Sequence, residues 1–444
     1  MKTFQRTFPT LLLALALTVP ASRAAAQAFG FGGEPSAEDP AAAPDRVSAP
    51  AAVTVRGRLV LGATLFPEDL SDPAAARPED SSLLRLDLAA EGSAVRAALR
   101  LRIDRASLEA ATAADFLDEA VDEAFLRLFL GPVTVEGGIL KVAWGKADSQ
   151  GPLDVLNPFD YTDLTVTDDL ERKIARPLLR AVWAAGPKAQ VEAVFLPSFE
   201  PHAVDFSGRW QPAAVRTLLT SGYTGFSAPD TDGLDYAQAG ARFTATSGSL
   251  DWGLQYFYGY LPTPSYDGST FPTVTVLYNR YHQFGADAAV AAAGFGLRAE
   301  LAANVTEDLP GDDPLVYNPR IAFSLGADRG IWAGINLNLQ YAGTIRLLDG
   351  GVAGPPDVDS GSDAFSSTLT AVASQKLFRD KLEWRLAALW SPSDEDFMLV
   401  PSLSWTEGDA ELKLGAGIFG GDASGQMGQY ADASWIRLTL TYTF

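Results

Sequence analysis

The chain has 444 residues, of which 47% are hydrophobic and 20% are charged, and its formal net charge is −21. This acidic balance argues against nucleic acid as a partner, because a surface that binds phosphates needs a basic footprint. The chain contains no cysteine, which excludes disulfides and thiolate metal sites.

Residues 1–26 have the pattern of a secretory signal peptide. Two basic residues near the start precede an apolar run at 11–19, which is too short to span a bilayer. Small residues follow, and they place cleavage near Ala26 or Ala28. We therefore predict an exported protein.

The next segment, 27–52, is rich in Ala, Pro, Gly and Asp, and we predict a flexible periplasmic lead-in. From residue 53 onward, short runs alternate between apolar and polar residues. Successive side chains of a strand point to opposite faces, so such runs are typical of strands with one apolar and one polar side. The alternation predicts about 18 strands, with 16 as the alternative count, at 53–65, 83–90, 94–104, 119–130, 133–144, 176–185, 189–196, 236–246, 250–260, 273–291, 295–304, 316–327, 331–342, 365–377, 381–390, 397–406, 410–419 and 434–444.

The connections between these strands alternate regularly between tight turns and long loops. A transmembrane barrel has short periplasmic turns and longer extracellular loops, whereas a soluble sandwich has no reason to sort its connections by length. We therefore predict an all-β fold, a transmembrane antiparallel β-barrel over 53–444. Its location would be the outer membrane of a bacterium with a double envelope, with the lipid bilayer as its surroundings.

The polar faces of the strands would line a wet lumen, and the early strands are basic on that face. The third long connection, 145–175, is instead rich in carboxylates. We predict that this loop folds inward and opposes the basic wall, forming a narrow, charged passage for small solutes. The alternative is that these charges pair among themselves and hold the loop. The candidate residues are Arg56, Arg58, Arg85, Arg96, Arg100, Arg102, Arg176 and Arg180 on the wall and Asp148, Asp154, Asp160 and Asp163 in the loop.

A motif lies where the third loop begins. The sequence GILKVAWGKAD at 138–148, followed by LNPFD at 156–160, resembles the G-x-x-x-x-x-W-G-x-A … N-P-x-D stretch of poorly characterised outer-membrane, porin-like β-barrel proteins. The resemblance implies passage of solutes, with substrates mostly unassigned. From the residues themselves we expect Trp144 to be an interfacial anchor and Gly145 to allow a sharp inward turn. We expect a capped turn at Asn157, Pro158 and Asp160.

The final run, 434–444, alternates without a break and ends on an aromatic residue. Tyr442 and Phe444 lie on its apolar face. This pattern resembles the closing strand of bacterial outer-membrane barrels, which the barrel assembly machinery reads. We therefore expect that machinery to be a partner, with Tyr442 and Phe444 as the assembly signal.

Catalytic patterns are sparse. The only histidines are His202 and His282, and Ser207 and Asp205 near His202 imitate a triad only in sequence. We therefore expect a channel rather than an enzyme, with no cofactor and no metal. The alternative is a plugged surface receptor or adhesin that binds through long acidic loops. The sequence does not indicate an oligomeric state.

Overall fold

The computed structural model describes residues 52–71, 77–148, 151–354 and 357–444. Within these residues, eighteen strands pair antiparallel in chain order, and the sheet closes because the last strand pairs with the first. The predicted 18-stranded antiparallel barrel is therefore confirmed. The predicted signal peptide at 1–26 and the lead-in up to residue 51 lie outside the described residues.

The barrel strands have the following bounds. They are β1 (Ala52–Leu65), β2 (Leu83–Glu91), β3 (Val95–Ile103), β4 (Val121–Leu130), β5 (Val133–Leu140), β6 (Arg176–Ala184), β7 (Ala189–Leu196), β8 (Gln238–Ser247), β9 (Leu250–Tyr260), β10 (Arg280–Ala292), β11 (Phe295–Thr306), β12 (Arg320–Gly330), β13 (Asn336–Arg346), β14 (Phe365–Leu377), β15 (Leu382–Ser391), β16 (Asp396–Glu407), β17 (Ala410–Gly421) and β18 (Trp435–Thr443).

Short helical segments lie in the connections. The α-helices are Arg105–Leu108, Ala113–Ala120, Asp169–Arg172 and Ala213–Thr220, and the 3-10 helices are Pro67–Ser71, Leu234–Tyr236, Trp332–Gly334, Asp349–Gly351 and Gly428–Ala433. The helix at Ala113–Ala120 begins where the Thr112 hydroxyl accepts a hydrogen bond from the Asp115 backbone N–H. In the described parts of the chain, no helix is both long and apolar enough to cross a membrane.

The alternation of the sequence produces two different barrel faces. On β18, Ile436, Leu438 and Leu440 are 45–49% exposed on the outside, whereas Trp435, on the opposite face, is 4% exposed. An apolar outer face suits lipid, since a charge there would cost about 2–4 kcal/mol at the bilayer midplane. Most charged and polar side chains of the strands are therefore directed into the lumen.

The two ends of the barrel differ. One end carries only tight turns, of which 331–335 is the longest, together with both ends of the described chain. The other end carries the long connections, although β15 and β16 are joined there by only 392–395. Several long loops pack together in an aromatic cluster formed by Phe66, Trp210, Phe419, Tyr430, Ala433 and Trp435.

One predicted strand, 273–291, proves to be two separate elements. Thr273–Leu277 leaves the barrel and forms a small sheet with Ser265–Asp267 and Gly225–Ser227. The break falls before β10, at the buried Asn279. The Asn279 side chain donates to the Leu315 carbonyl and accepts from the Tyr317 N–H, so loop contacts replace the barrel ladder there.

Three other predicted strands begin or end elsewhere, and one of them, predicted at 316–327, runs instead over Arg320–Gly330. The strand predicted at 133–144 ends at Leu140, because the Val142 N–H donates to a loop side chain instead of a neighbouring strand. The strand predicted at 331–342 begins only at Asn336. Residues 331–335 form a turn in which Ala333 adopts a left-handed φ of 62°. Apolar residues in this turn mimic the alternation of a strand.

The barrel closes at its last residue. The Gly57 N–H donates to the Phe444 carbonyl over 2.8 Å, and the Phe444 N–H donates to the Gly57 carbonyl over 2.9 Å. The Phe444 ring covers Gly57 so closely that a Cβ at that position would overlap it. The rings of Tyr442 and Phe444 stack, with centroids 6.3 Å apart. The predicted assembly signal thus lies on the closing seam.

We expect the double change of Tyr442 and Phe444 to Ser to reduce barrel assembly in cells. The change removes the ring over Gly57 and an aromatic pair that contributes about 0.5–1.5 kcal/mol beyond its burial. Heat-modifiable gel migration of the outer-membrane fraction measures the folded barrel. Leu130→Ser is the control, since Leu130 is 57% exposed and Phe444 58%, but Leu130 lies away from the seam. Equal loss in both variants would contradict a special role for this strand.

Candidate pore constriction

The third long connection, 141–175, which we call loop L3, is clamped at its base by Asn157. The Asn157 side chain accepts from the Val142 N–H at 2.7 Å and donates to the carbonyls of Leu140 and Ile174 at 2.9 and 2.8 Å. The Ile174 N–H also donates to the Pro158 carbonyl. One buried amide thus joins the beginning and the end of the loop. Beyond the clamp, the Asp160 carboxylate accepts from the Thr162 N–H and hydroxyl.

Trp144 does not have the predicted role of an interfacial anchor. It is 4% exposed and lies inside the barrel, over Gly240 of β8. Its indole N–H donates to Glu192 of β7 over 2.8 Å. The chain leaves β5 four residues before Trp144, so the side chain turns into the lumen rather than toward lipid. The next residue, Gly145, has a φ of 97°, which favours glycine.

The first half of L3 is bound to one side of the lumen wall. Glu300 of β11 accepts hydrogen bonds from the backbone N–H groups of Lys146 and Ala147. A Cβ at Gly145 or Gly151 would overlap the Glu300 carboxylate, so the loop backbone lies directly against it. Asp148 forms an ion pair with Arg298 of β11.

Further contacts continue along the same side of the barrel. The Asp148 N–H donates to Gln340 of β13 over 2.9 Å. Gln255 of β9 and Gln283 of β10 donate to the carbonyls of Leu153 and Pro152, each over 2.9 Å. The described residues of the segment 144–153 therefore lie against side chains of β7 to β13.

The second half of L3 is bound to the other side of the wall. Arg437 of β18 donates to the Thr165 hydroxyl and lies 3.9 Å from Asp163. Glu171 forms ion pairs with Arg58 of β1 at 3.2 Å and with Arg85 of β2 at 2.9 Å. In an 18-stranded ring β1 and β10 lie half a circumference apart. The contacts therefore place L3 across the lumen, from one wall to the opposite one.

The fourth long connection, 197–237, which we call loop L4, binds the backbone of L3. The Phe159 N–H donates to Nδ1 of His202 over 2.9 Å, and Asp160 pairs with Ala203 in a short β-bridge. Burial lowers the pKa of His202 to about 4, so the imidazole is neutral at ordinary pH. Asp205 instead accepts from the N–H groups of three residues that follow it. These bonds connect loop backbone and do not form a catalytic triad.

Asp154 forms an ion pair within L3. Its carboxylate lies 2.6 Å from the ammonium group of Lys173. Burial raises the pKa of Asp154, an effect that the Lys173 charge opposes. Both residues belong to L3, so this ion pair ties the two halves of the loop together and leaves Asp154 away from the basic wall.

The inward arginines of the early strands form rows across the wall. In one row Arg56, Asp87, Arg100 and Glu123 face each other in turn across β1 to β4. In another, Arg96, Arg127, Glu136 and Arg180 lie across β3 to β6. Arg100 is ion-paired with Asp87 and Glu123, and Glu136 with Arg127 and Arg180, so carboxylates partly neutralise these rows.

A third row contains arginines only, with no carboxylate between them. Arg58, Arg85 and Arg102 lie directly opposite one another on β1, β2 and β3, and we call them the arginine row. Like charges directly opposite each other destabilise a sheet. Carboxylates reach the row from connecting segments, Glu171 from L3 and Asp104 at 3.5 Å from Arg102. Within the described chain, Nε of Arg85 and Nε of Arg102 have no hydrogen-bond partner.

Arg176 stands apart from this wall. It is 2% exposed at the start of β6 and donates to the Ser198 carbonyl of L4. Its guanidinium lies 5.9 Å from the Phe199 ring. Among the described contacts it therefore joins strand and loop, and it does not belong to any of the three rows.

Several residues that hold L3 were not singled out from the sequence. They are Glu171, Arg298, Glu300 and Arg437. The strand alternation places Arg298, Glu300 and Arg437 on the polar face, so it indicates that they face the lumen. It does not indicate that a loop more than a hundred residues away in sequence would reach them.

No family model and no curated protein matches the chain. Among solved structures, it is similar to OccK3 (OpdO) of Pseudomonas aeruginosa, with 11% identity and a TM-score of 0.50, over 89% of this chain and 95% of that one. OccAB4 of Acinetobacter baumannii has 10% identity and a TM-score of 0.49, over 89% and 98%. A triple mutant of the porin of Rhodopseudomonas blastica has 12% identity and a TM-score of 0.41, over 88% and 100%. At such identities the likeness to OccK3 supports the barrel fold and nothing narrower.

Proposed function

We propose that the protein is an outer-membrane channel for small solutes, preferring anions, whose lumen is narrowed by L3. The observation that carries this proposal is the attachment of L3 to opposite walls beside the arginine row. A closed barrel with an apolar outer face and a charged inner face suits a membrane-spanning, water-filled passage. We place the tight turns of this barrel in the periplasm and the long loops outside the cell.

The preference for anions rests on the chemistry of the arginine row. Guanidinium groups bind carboxylates and phosphates through paired, charge-assisted hydrogen bonds. The carboxylate of Glu171 already lies within 3.2 Å of Arg58 and Arg85, and it stands in for the acidic group of a solute. Opposed charges in a narrow passage select solutes by charge and dipole. A solute carboxylate can therefore exchange with Glu171 as it passes.

A plugged surface receptor is the second candidate. It is favoured by the aromatic cluster that joins three long connections around Trp210, and by the crossing of the lumen by L3. Both functions share the fold and differ in conduction. Single-channel recording in planar bilayers separates them, because a plugged barrel gives no conductance steps while a channel does.

We expect the triple change of Arg58, Arg85 and Arg102 to Gln to shift ion preference toward cations. Removing three positive charges from the passage lowers the local concentration of anions. Reversal potentials across a salt gradient measure this shift. It should weaken at high salt, since exposed charges are screened beyond about 8–10 Å near physiological ionic strength.

Two further variants sharpen this measurement. Asp163→Asn removes a loop carboxylate and should shift the preference the opposite way. Lys381→Gln is the control, because Lys381 is ion-paired with Glu407 at the tight-turn end of the barrel. An unchanged reversal potential in the triple variant, with conduction preserved, would rule out the arginine row as the selecting element.

Loosening the base of L3 should widen the passage. Asn157→Ala removes three hydrogen bonds and leaves buried backbone groups unpaired, at about 1–3 kcal/mol each. We expect a larger and noisier single-channel conductance in this variant. Asn336→Ala, at the exposed start of β13, is the control. If the folded Asn157 variant conducts like the parent, L3 does not restrict the lumen.

Acid should loosen the contact between L3 and L4. The released imidazole of His202 has its ordinary pKa of 6.5, whereas the buried one has a pKa of about 4. Protonation therefore favours release, and the contact weakens as the pH falls from 6.5 toward 4, with little further change below that. The Tyr161 ring lies 5.2 Å from the His202 ring, and Glu200 precedes His202 by two residues in the chain.

Comparing the parent protein with the His202→Gln variant isolates the effect of His202 protonation. Glutamine can accept the Phe159 N–H but does not titrate. Conductance noise between pH 7 and pH 4 should rise in the parent and stay flatter in His202→Gln. Identical pH profiles would show that His202 does not control the junction.

A further inference from the structure

The turn at 331–335 differs from an ordinary polar turn. Its sequence, Ile-Trp-Ala-Gly-Ile, contains no charged or hydroxyl side chain. Trp332 is 78% exposed, the highest value for a large hydrophobic side chain among the described residues. A hydrogen bond from the Ile331 N–H to the Ile335 carbonyl closes the turn. Exposed apolar surface in a fixed shape indicates an apolar neighbour.

A groove lies on the outer barrel face next to this turn. It follows β12, because the small Ala327 is paired with Leu297 on one side and Leu339 on the other. Phe295 and Leu337 form its walls, and Ile331 and Trp332 close it at the turn. Its volume is about 430 Å³. The groove thus opens along the lipid-facing surface.

One cation lies at the closed end of the groove. Arg329 is paired with Leu337 in the ladder, which places it on the outer face. Its guanidinium lies 4.5 Å from the Phe295 ring, and within the described residues it forms no ion pair. The neighbouring Asp328 faces the lumen and is bound to Arg298. Arg329 is therefore an outward charge at the end of the apolar band, where such a charge is tolerated best.

We propose that this groove is a binding site for one phospholipid of the periplasmic leaflet. The phosphate would bind Arg329, and an acyl chain would fill the trough over Ala327. Trp332 would lie at the membrane–water interface, where tryptophan is enriched. The proposal rests on the proposed membrane location and orientation, and not on conduction. Charge complementarity favours a phospholipid over a second copy of the chain, which offers apolar side chains but no phosphate.

Native mass spectrometry of the purified full-length barrel tests this site. The barrel is released from detergent after incubation with dioleoyl phosphatidylglycerol, and the fraction that retains one lipid is measured. Ala327→Leu fills the trough and Arg329→Gln removes the charge. We expect each change to lower the retained fraction at least fivefold. Heat-modifiable migration verifies folding, and if Ala327→Leu does not fold, Arg329→Gln alone decides the result.

Matched controls come from the same kinds of position. Ala245→Leu fills an outward position on β8, and Arg379→Gln removes an exposed charge from another tight turn. Both should retain the lipid like the parent. Dioleoylglycerol, which has the same chains without phosphate, should be retained at least fivefold less. Inorganic phosphate should not displace the phospholipid, because it gains nothing from the trough.

Three results would overturn the proposal. One is equal lipid retention in Ala327→Leu, Arg329→Gln and the two controls. Another is equal retention of dioleoylglycerol and phosphatidylglycerol by the parent. The third is a lipid-free dimer that Ala327→Leu dissociates, since the groove would then be a contact between copies. The readout does not involve current, so a barrel that retains lipid but does not conduct refutes the proposed channel function and leaves this site intact.

Discussion

The constraint on which the structure depends is that a bilayer offers no hydrogen bonds to the backbone. Every strand must therefore pair on both sides, and the ring must close. The pairing of β1 with β18, ending at Gly57 and Phe444, meets this requirement. Once the ring is closed, the period of two in the strands directs apolar side chains to lipid and charged ones inward.

The inward charges then have two uses. Where the register places acids opposite arginines, as around Arg100 and Glu136, the wall neutralises itself. Where the register places Arg58, Arg85 and Arg102 side by side, the wall does not neutralise itself, and L3 supplies a carboxylate. Glu300 uses its charge differently, by binding backbone N–H groups of the loop. The same kinds of lumen side chain thus hold the loop and set the charge of the inner wall.

Most of the barrel was predictable from the alternation of apolar and polar residues, because the sequence of each strand shows which residues lie on each of its two faces. The errors occur where local pattern and long-range contacts disagree. Thr273–Leu277 alternates like a barrel strand, yet it pairs with other loop segments. Residues 331–335 are apolar but form a turn. Trp144 has the position of an interfacial residue, yet it packs on Gly240 inside the barrel. The basic wall and the carboxylate-rich loop were visible in the sequence, but the partner of each charge was not.

The sequence by itself determined the class of fold, a strand number of about 18 with 16 as the alternative, the face of most side chains and the sorting of short and long connections. These are properties of single strands and of neighbours along the chain. Only the tertiary structure decided which charges meet, because a cross-strand partner depends on register and a loop partner on where the loop crosses the lumen. A shift of register by two residues would keep every side chain on its face and still separate Arg58 from Arg85. The path of L3 is likewise fixed by residues such as Glu300 and Glu171, whose partners lie far from them in the chain and are brought to them only by the closed ring.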